Sequence, residues 1–282
     1  MIRFPSAKIN LGLNIVRKRD DGYHDLETVF YPLDIRDALE ILPSEDGGST
    51  SEGVELHTSG LEVDGASSDN ICVKAWWLLK SDFPELPSIR LYLHKAIPMG
   101  AGLGGGSSDG AVALEMIADM FSLPVDSERL AAYSLRLGSD CPFFLLNRPA
   151  YGTGRGERLV PLPLDLSGHR IMLVHPGIHV STAQAFGGVM PAEPELNVRD
   201  IVSQPIGNWR GLLVNDFERT VFAAHPEIAD IKQTLYEAGA VYASMSGSGS
   251  SVFGLFPGGT EPSIPFPARY FTRWLDAPPT IR

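Results

Sequence analysis

The chain has 282 residues, 44% of them hydrophobic and 20% charged, the composition of an ordinary soluble globular protein with room for two modest domains. Its formal net charge of −11 excludes a general binder of nucleic acid or of an anionic membrane surface. No apolar run reaches the roughly 18 residues that a membrane span needs, and residues 1–5 run into a strand pattern with no signal core. The two cysteines, Cys72 and Cys141, have no metal-binding spacing and allow at most one disulfide, which points to a reducing, cytoplasmic setting.

Taken in chain order, residues 7–15 show strict alternation. Ala7, Ile9, Leu11, Leu13 and Ile15 interleave with Lys8, Asn10, Gly12 and Asn14, which predicts a half-buried strand with Lys8 and Asn10 on its polar face. The polar residues 43–53 read as a hairpin excursion. Asn70 opens a helix, residues 89–94 read as a strand, and a helix with Ala111, Leu114, Ile117 and Phe121 on one face follows residue 106. Asp126 opens a further helix closed by Gly138. Asp140 then leads into an apolar run at 143–146 that reads as a strand. A last helix runs from Pro226 to Gly239, before two apolar strands at 240–243 and 252–256. Strands and helices mixed without regular βαβ alternation predict an α+β protein. Looser composition near 151–157 and 187–208 places a boundary near residue 155, giving domains 1–155 and 156–282.

The chemistry centres on residues 98–109, Pro-Met-Gly-Ala-Gly-Leu-Gly-Gly-Gly-Ser-Ser-Asp, between a strand pattern and a helix pattern. Backbone without Cβ atoms can approach a ligand closely, and a helix N-terminus offers unpaired N–H groups and positive potential, so the segment predicts a phosphate cradle in preference to a flexible linker. Ser107, Ser108 and Asp109 are the candidate N-caps. No Gly-Lys-Ser/Thr closes the loop, which excludes a Walker A motif. Gly100 to Gly105 satisfies G-x-G-x-x-G, but the acidic residue about 20 positions on, Asp126, opens a helix where a dinucleotide fold needs a strand end. Lys8, Asp140, the hairpin-like Gly152-Thr-Gly-Arg-Gly-Glu157 and Ser246-Gly-Ser-Gly-Ser250 complete the candidate set. The last reads as a second loop facing a ligand.

Ala7-Lys-Ile-Asn-Leu-Gly-Leu, Asp20-Asp-Gly-Tyr-His24, residues 98–109, Leu137-Gly-Ser-Asp-Cys-Pro-Phe-Phe144, Gly152 to Glu157 and Ser246 to Ser250 together resemble the GHMP kinase superfamily. Within it they resemble the branch that phosphorylates the 2-hydroxyl of a cytidine diphosphate derivative of methylerythritol. The resemblance implies an α+β, two-domain kinase fold with the active site in the cleft between domains, an N-terminal ATP-binding domain and a C-terminal substrate-binding domain. It implies ATP as co-substrate with Mg2+, whose protein ligands the sequence does not identify. The partner is a small molecule, without nucleic acid or membrane, and the protein is a monomer or homodimer.

Carried over by position, Asp140 is the implied general base and Lys8 its charged neighbour. ATP falls to Lys95 and to Pro98, Met99, Gly100, Ala101, Gly102, Leu103, Gly104, Gly105, Gly106, Ser107 and Ser108. Tyr23 and Phe186 are the implied stacking partners of cytosine, with His24 at its edge, and Asn10 and Thr182 face the methylerythritol or diphosphate part. Asp109 stands where the family often has Asn. Homoserine and mevalonate kinases of the superfamily, or a non-catalytic nucleotide-binding relative, are the alternatives. Asp-Gly-Tyr-His disfavours the former, and the presence of both Lys8 and Asp140 disfavours the latter.

Overall fold

The alternation in residues 7–15 does form a strand, but residues 6–15 are buried without interruption, so the strand is covered on both faces. Its polar side chains Lys8, Asn10 and Asn14 are therefore interior, which is tolerable only because they bond one another and their neighbours. The computed structural model describes residues 1–44, 53–63 and 65–277.

In chain order the elements are β1 (Ile2–Arg3), β2 (Ser6–Lys18), β3 (His24–Arg36), β4 (Ala38–Pro43), β5 (Val54–Gly60), α1 (Ile71–Asp82), β6 (Ile89–Lys95), α2 (Gly105–Met120), α3 (Ser127–Leu137) and α4 (Cys141–Leu146). There follow β7 (Ala150–Gly154), β8 (Arg158–Pro161), β9 (His169–His175), α5 (Thr182–Phe186), α6 (Val198–Val202), α7 (Phe217–Ala224), α8 (Pro226–Glu237), β10 (Tyr242–Met245), β11 (Val252–Pro257) and β12 (Phe271–Asp276).

The chain forms two interleaved units instead of two consecutive halves. Residues 1–7, 35–99 and 104–147 make the first, and residues 8–34, 100–103 and 148–282 the second. The single boundary expected near 155 gives way because β2 and β3 share a sheet with β7 and β8. The loose composition at 151–157 marks only the β7–β8 hairpin. Composition reports local turn chemistry and carries no information on which strands pair.

In the first unit the sheet order is β1-β4-β6-β5. β4 runs antiparallel to β6, with Leu39 opposite Leu93, and β5 runs parallel to β6 through the α1 crossover. β4 and β5 are thus not hairpin partners, and residues 45–52 of the expected excursion lie outside the described residues. Asn70 accepts the Cys72 N–H (2.9 Å) and Asp126 the Arg129 N–H (2.8 Å), so α1 and α3 start where their caps predict. Trp76 and Leu79 of α1 and Leu114 and Ile117 of α2 join Leu91 and Leu93 in the core. Cys72 and Cys141 are both buried thiols.

The second unit holds two sheets, β2-β3-β7-β8 and β10-β11-β9-β12. Ile228, Ile231 and Leu235 form the buried stripe of α8 and pack with Leu13, Ile15, Val174 and Phe256.

Gly110 of α2 packs directly on α1: a Cβ there would lie 2.6 Å from Cγ1 of the stiff, β-branched Ile71. Gly110→Ala gains about 1 kcal/mol in helix propensity but overpacks at a cost of roughly 1–3 kcal/mol. A net loss of stability is expected on chemical denaturation, and a gain would show that the helices can separate without cost.

Candidate active site

α2 begins at Gly105, earlier than the cap pattern suggests. Its N-cap is Gly104 at φ +69°, with no side-chain cap bond, while Ser107, Ser108 and Asp109 lie inside the helix. Ser108 N–H already donates to the Gly104 carbonyl (2.9 Å). The N–H groups of Gly105, Gly106 and Ser107 precede that first bond, have no intrahelical acceptor, and point out of the helix start, where an anion fits. Gly100, Gly102 and Gly104 have φ of +61°, +76° and +69°, which accounts for glycine at every second position. A cleft of about 350 Å³ adjoins this turn. It is lined by Leu56, Val63, Ile71 and Met99 together with Thr58, Ser67, Asp69, Asn70, Gly106 and Ser107, and Lys95 and Asp109 contribute to its wall, a mixed apolar and polar slot.

Lys95 does not sit as a phosphate ligand would. Its ammonium lies between Asp37 Oδ2 and Asp109 Oδ2 (the latter at 2.7 Å), and all three side chains are almost wholly buried. Asp37 Oδ1 also accepts the N–H groups of Ala96 (2.6 Å) and Ile97 (2.9 Å), anchoring the chain as it leaves β6. Nothing in the sequence near Asp37 signals this role. Asp109, expected as a cap, is instead the second carboxylate, and its Oδ1 is buried without a hydrogen-bond partner.

Two carboxylates thus share one ammonium. Burial pushes Asp109 up to about 7, with Asp37 adding to the rise against the pull of Lys95. Burial works to lower the Lys95 ammonium, but the carboxylates outweigh it and hold it above its ordinary range. Because Asp109 rises on folding, its contribution to stability is complete below the unfolded carboxylate pKa near 3.8 and is lost as pH rises through about 7. Asp109→Asn keeps an acceptor for Lys95 and removes the surplus charge. The denaturation midpoint of the variant is therefore expected to gain on wild type between pH 5 and pH 8. A gap constant with pH would contradict this account.

In the second unit, Lys8 Nζ donates to Asn10 Oδ1 (2.6 Å) and to the Gly102 carbonyl (3.0 Å), and lies 5.6 Å from the centre of the Phe30 ring. Asn10 Nδ2 donates to Thr28 Oγ1 (3.0 Å), and Ser246 Oγ donates to the Gly102 carbonyl (2.8 Å). The Ser246–Ser250 loop, expected to face a ligand, is instead a buttress. Ser246, Ser250 and Ser251 are fully buried, and a Cβ at Gly102 would overlap the Ser246 carbonyl. In the first unit, the apolar run after Asp140 is the helix α4, not a strand, closed by Asn147 at φ +44°. Pro142 in its first turn suits a helix start. Asp140 occupies the N-cap position, and its carboxylate makes no cap bond.

The aromatic residues of the second unit form two groups. The Tyr23 ring is 55% exposed and carries the Arg155 guanidinium 4.7 Å from its centre. Arg155 stands at the β7–β8 turn, where its N–H donates to Glu157 Oε2 (2.5 Å). His24 stacks on Phe186 at 4.7 Å and 22°, and Phe186 meets the edge of Phe217 at 4.8 Å. Tyr23 and Phe186 were expected as two plates around a base. Here Phe186 is already stacked on His24. Burial, with Lys18 nearby, lowers His24, so its neutral imidazole offers one donor and one acceptor. Thr182 is exposed in the first turn of α5, whose cap, Ser181 Oγ, accepts the Gln184 N–H (3.2 Å).

Residues 70–148 match the family model described as GHMP kinases N terminal domain, and residues 199–264 that described as GHMP kinases C terminal. The 4-diphosphocytidyl-2-C-methyl-D-erythritol kinase of Bacteroides thetaiotaomicron is 47% identical over 272 residues, covering 96% of this chain and 98% of that protein. The chain belongs to the 4-diphosphocytidyl-2-C-methyl-D-erythritol kinases, a branch of the GHMP kinase family. The Porphyromonas gingivalis member of that branch is 49% identical over 258 residues, covering 91% of this chain and 92% of its own. A crystal structure of 4-(cytidine 5'-diphospho)-2C-methyl-D-erythritol kinase superposes with a TM-score of 0.76 at 35% identity, over 92% of this chain and 91% of that one.

The Methanococcus jannaschii mevalonate kinase superposes with a TM-score of 0.66 over 91% of this chain and 90% of its own, but at 12% identity it shares the fold alone. This GHMP kinase carries Lys8, Asn10, Tyr23 and His24 outside both matched family segments. No helix among its described residues is long and apolar enough to cross a membrane.

Proposed function

We propose that the chain transfers the γ-phosphoryl group of ATP to the 2-hydroxyl of 4-diphosphocytidyl-2-C-methyl-D-erythritol, giving the 2-phosphate and ADP in isoprenoid biosynthesis. The 47% identity to a kinase of that name over nearly the whole of both chains carries the reading. The glycine turn supports it: the N–H groups of Gly105, Gly106 and Ser107 suit the β- and γ-phosphates, and the adjoining cleft suits the base and ribose. Mg2+ would accompany the nucleotide and offset charge on its phosphates. Among the described residues no group of three or more His, Cys, Asp or Glu converges on a metal site, so the phosphates and water would supply most of its ligands.

In this reading Asp140 takes the proton of the attacking hydroxyl, the oxygen bonds to the γ-phosphorus, and the bond from phosphorus to the bridging oxygen breaks to release ADP. Lys8 balances the charge on the reacting oxygens. Asn10 acts by aiming Lys8, since both ends of its amide are engaged within the protein. Tyr23 receives the cytosine ring, His24 offers its donor and acceptor to the base edge, and Phe186 parts from His24 to close the other face. Thr182, at the start of α5, faces the methylerythritol or diphosphate. Lys95, at the wall of the same cleft, supports the cradle through Asp37 and Asp109. An ATP-consuming step on a charged small molecule belongs in the cytoplasm.

Purified protein incubated with ATP, Mg2+ and a panel of alcohols, including the cytidylylated one, homoserine and mevalonate, is expected to release ADP only with the first. Turnover of homoserine or mevalonate alone would reassign the substrate.

Asp140→Asn keeps the shape and removes the basicity, so kcat is expected to fall by about 10²–10⁴ while ATP binding by calorimetry persists. Retention of more than about half of wild-type kcat would remove Asp140 as the base.

Tyr23→Ala is expected to raise KM for the cytidine substrate by roughly 10- to 100-fold, from a stacking term of about 1–3 kcal/mol, with KM for ATP unchanged. Equal use of a substrate lacking the base would sink the assignment.

A further inference from the structure

Behind Lys8 lies a buried relay that the sequence does not announce. Thr28, on β3, is fully buried, and its Oγ1 donates to the Gly12 carbonyl at 2.5 Å while lying 3.0 Å from Asn10 Nδ2. A hydroxyl has one proton. With that proton on Gly12, Thr28 can present only a lone pair to Asn10, and it selects the NH2 end of the amide. The planar amide then turns Oδ1 toward Lys8, at 2.6 Å from Nζ. The reversed amide would set NH2 against the ammonium and leave the Thr28 lone pair unmet. Lys8, Asn10 and Thr28 are 3%, 2% and 0% exposed, so bulk water cannot relieve a misoriented member. Lys8 Nζ also donates to the Gly102 carbonyl, part of the glycine loop.

We infer that Thr28 is a positioning residue for phosphoryl transfer: its hydroxyl sets the Asn10 amide, and the amide aims the Lys8 ammonium. The inference rests on the proposed action of Lys8 in the reaction. Thr28 does not act on nucleotide or substrate directly, so its effect belongs to kcat.

Thr28→Val keeps the volume and removes the hydroxyl, whereas Thr28→Ser keeps the hydroxyl. In the full chain, Thr28→Val is expected to lower kcat about tenfold, the effect of one buried hydrogen bond, with KM for ATP and for the cytidine substrate unchanged. Thr28→Ser is expected to retain wild-type turnover. In a Lys8→Ala background, Thr28→Val is expected to change the residual rate no further, because residues that act as a unit are not additive.

Equal losses in both backgrounds, a rise in either KM matching the fall in kcat, or failure of Thr28→Ser to retain activity would each overturn the inference. So would a Thr28→Val protein with no cooperative thermal transition, since the hydroxyl would then serve folding. Failure of the underlying reading is separately visible: Lys8→Ala would turn over as fast as wild type, whatever Thr28 does.

Discussion

The Gly102 carbonyl oxygen receives hydrogen bonds from Lys8 Nζ and Ser246 Oγ, and the glycine loop, the 246–250 loop and the lysine all take their positions from it. Its two lone pairs meet these two donors because the carbonyl points into the protein, which Gly102 achieves with φ +76° and with no Cβ to strike the Ser246 carbonyl. A side chain at this position would force the two loops apart and withdraw the Gly102 carbonyl from Lys8. The loop therefore does more than stay out of the way of a phosphate. Its backbone also fixes the position of the Lys8 ammonium.

Lys8 and Lys95 are both buried, and their surroundings differ. Lys95 is closed in by Asp37 and Asp109, and that ion cluster ties the end of β6 to the second turn of α2. Taking three charged groups out of water is costly, and the surplus carboxylate is accommodated by the raised pKa of Asp109. Lys8 Nζ donates to an amide oxygen and to a backbone carbonyl.

In the aromatic region, Phe186 is occupied by His24 and backed by Phe217, while Tyr23 stands exposed with Arg155 on its ring. Base binding in the proposed reading exchanges one stacking contact, His24 on Phe186, for two with the base, so recognition of the ring and rearrangement of His24 are one event. The hairpin-like Gly152–Glu157 turn supplies the arginine that backs Tyr23.

Local rules made much of this legible in the sequence. Asn70 and Asp126 are caps because a short acceptor three residues or fewer ahead of a helix N–H can reach it, and α8 follows from apolar spacing alone. The glycine spacing at 100, 102 and 104 marked a loop with repeated left-handed backbone, and the motifs around Lys8, Asp140 and Tyr23 marked the family. What only the tertiary structure decided depends on residues far apart in the chain.

Asp37 and Lys95 are 58 positions apart, Gly102 and Ser246 are 144 apart, and no local pattern encodes either meeting. For the same reason the polar face of β2 could not be recognised as interior, nor Asp109 as an ion-pair partner instead of a cap. Alternation records which side chains share a face, whereas what covers that face is set by strands and loops that arrive later in the chain.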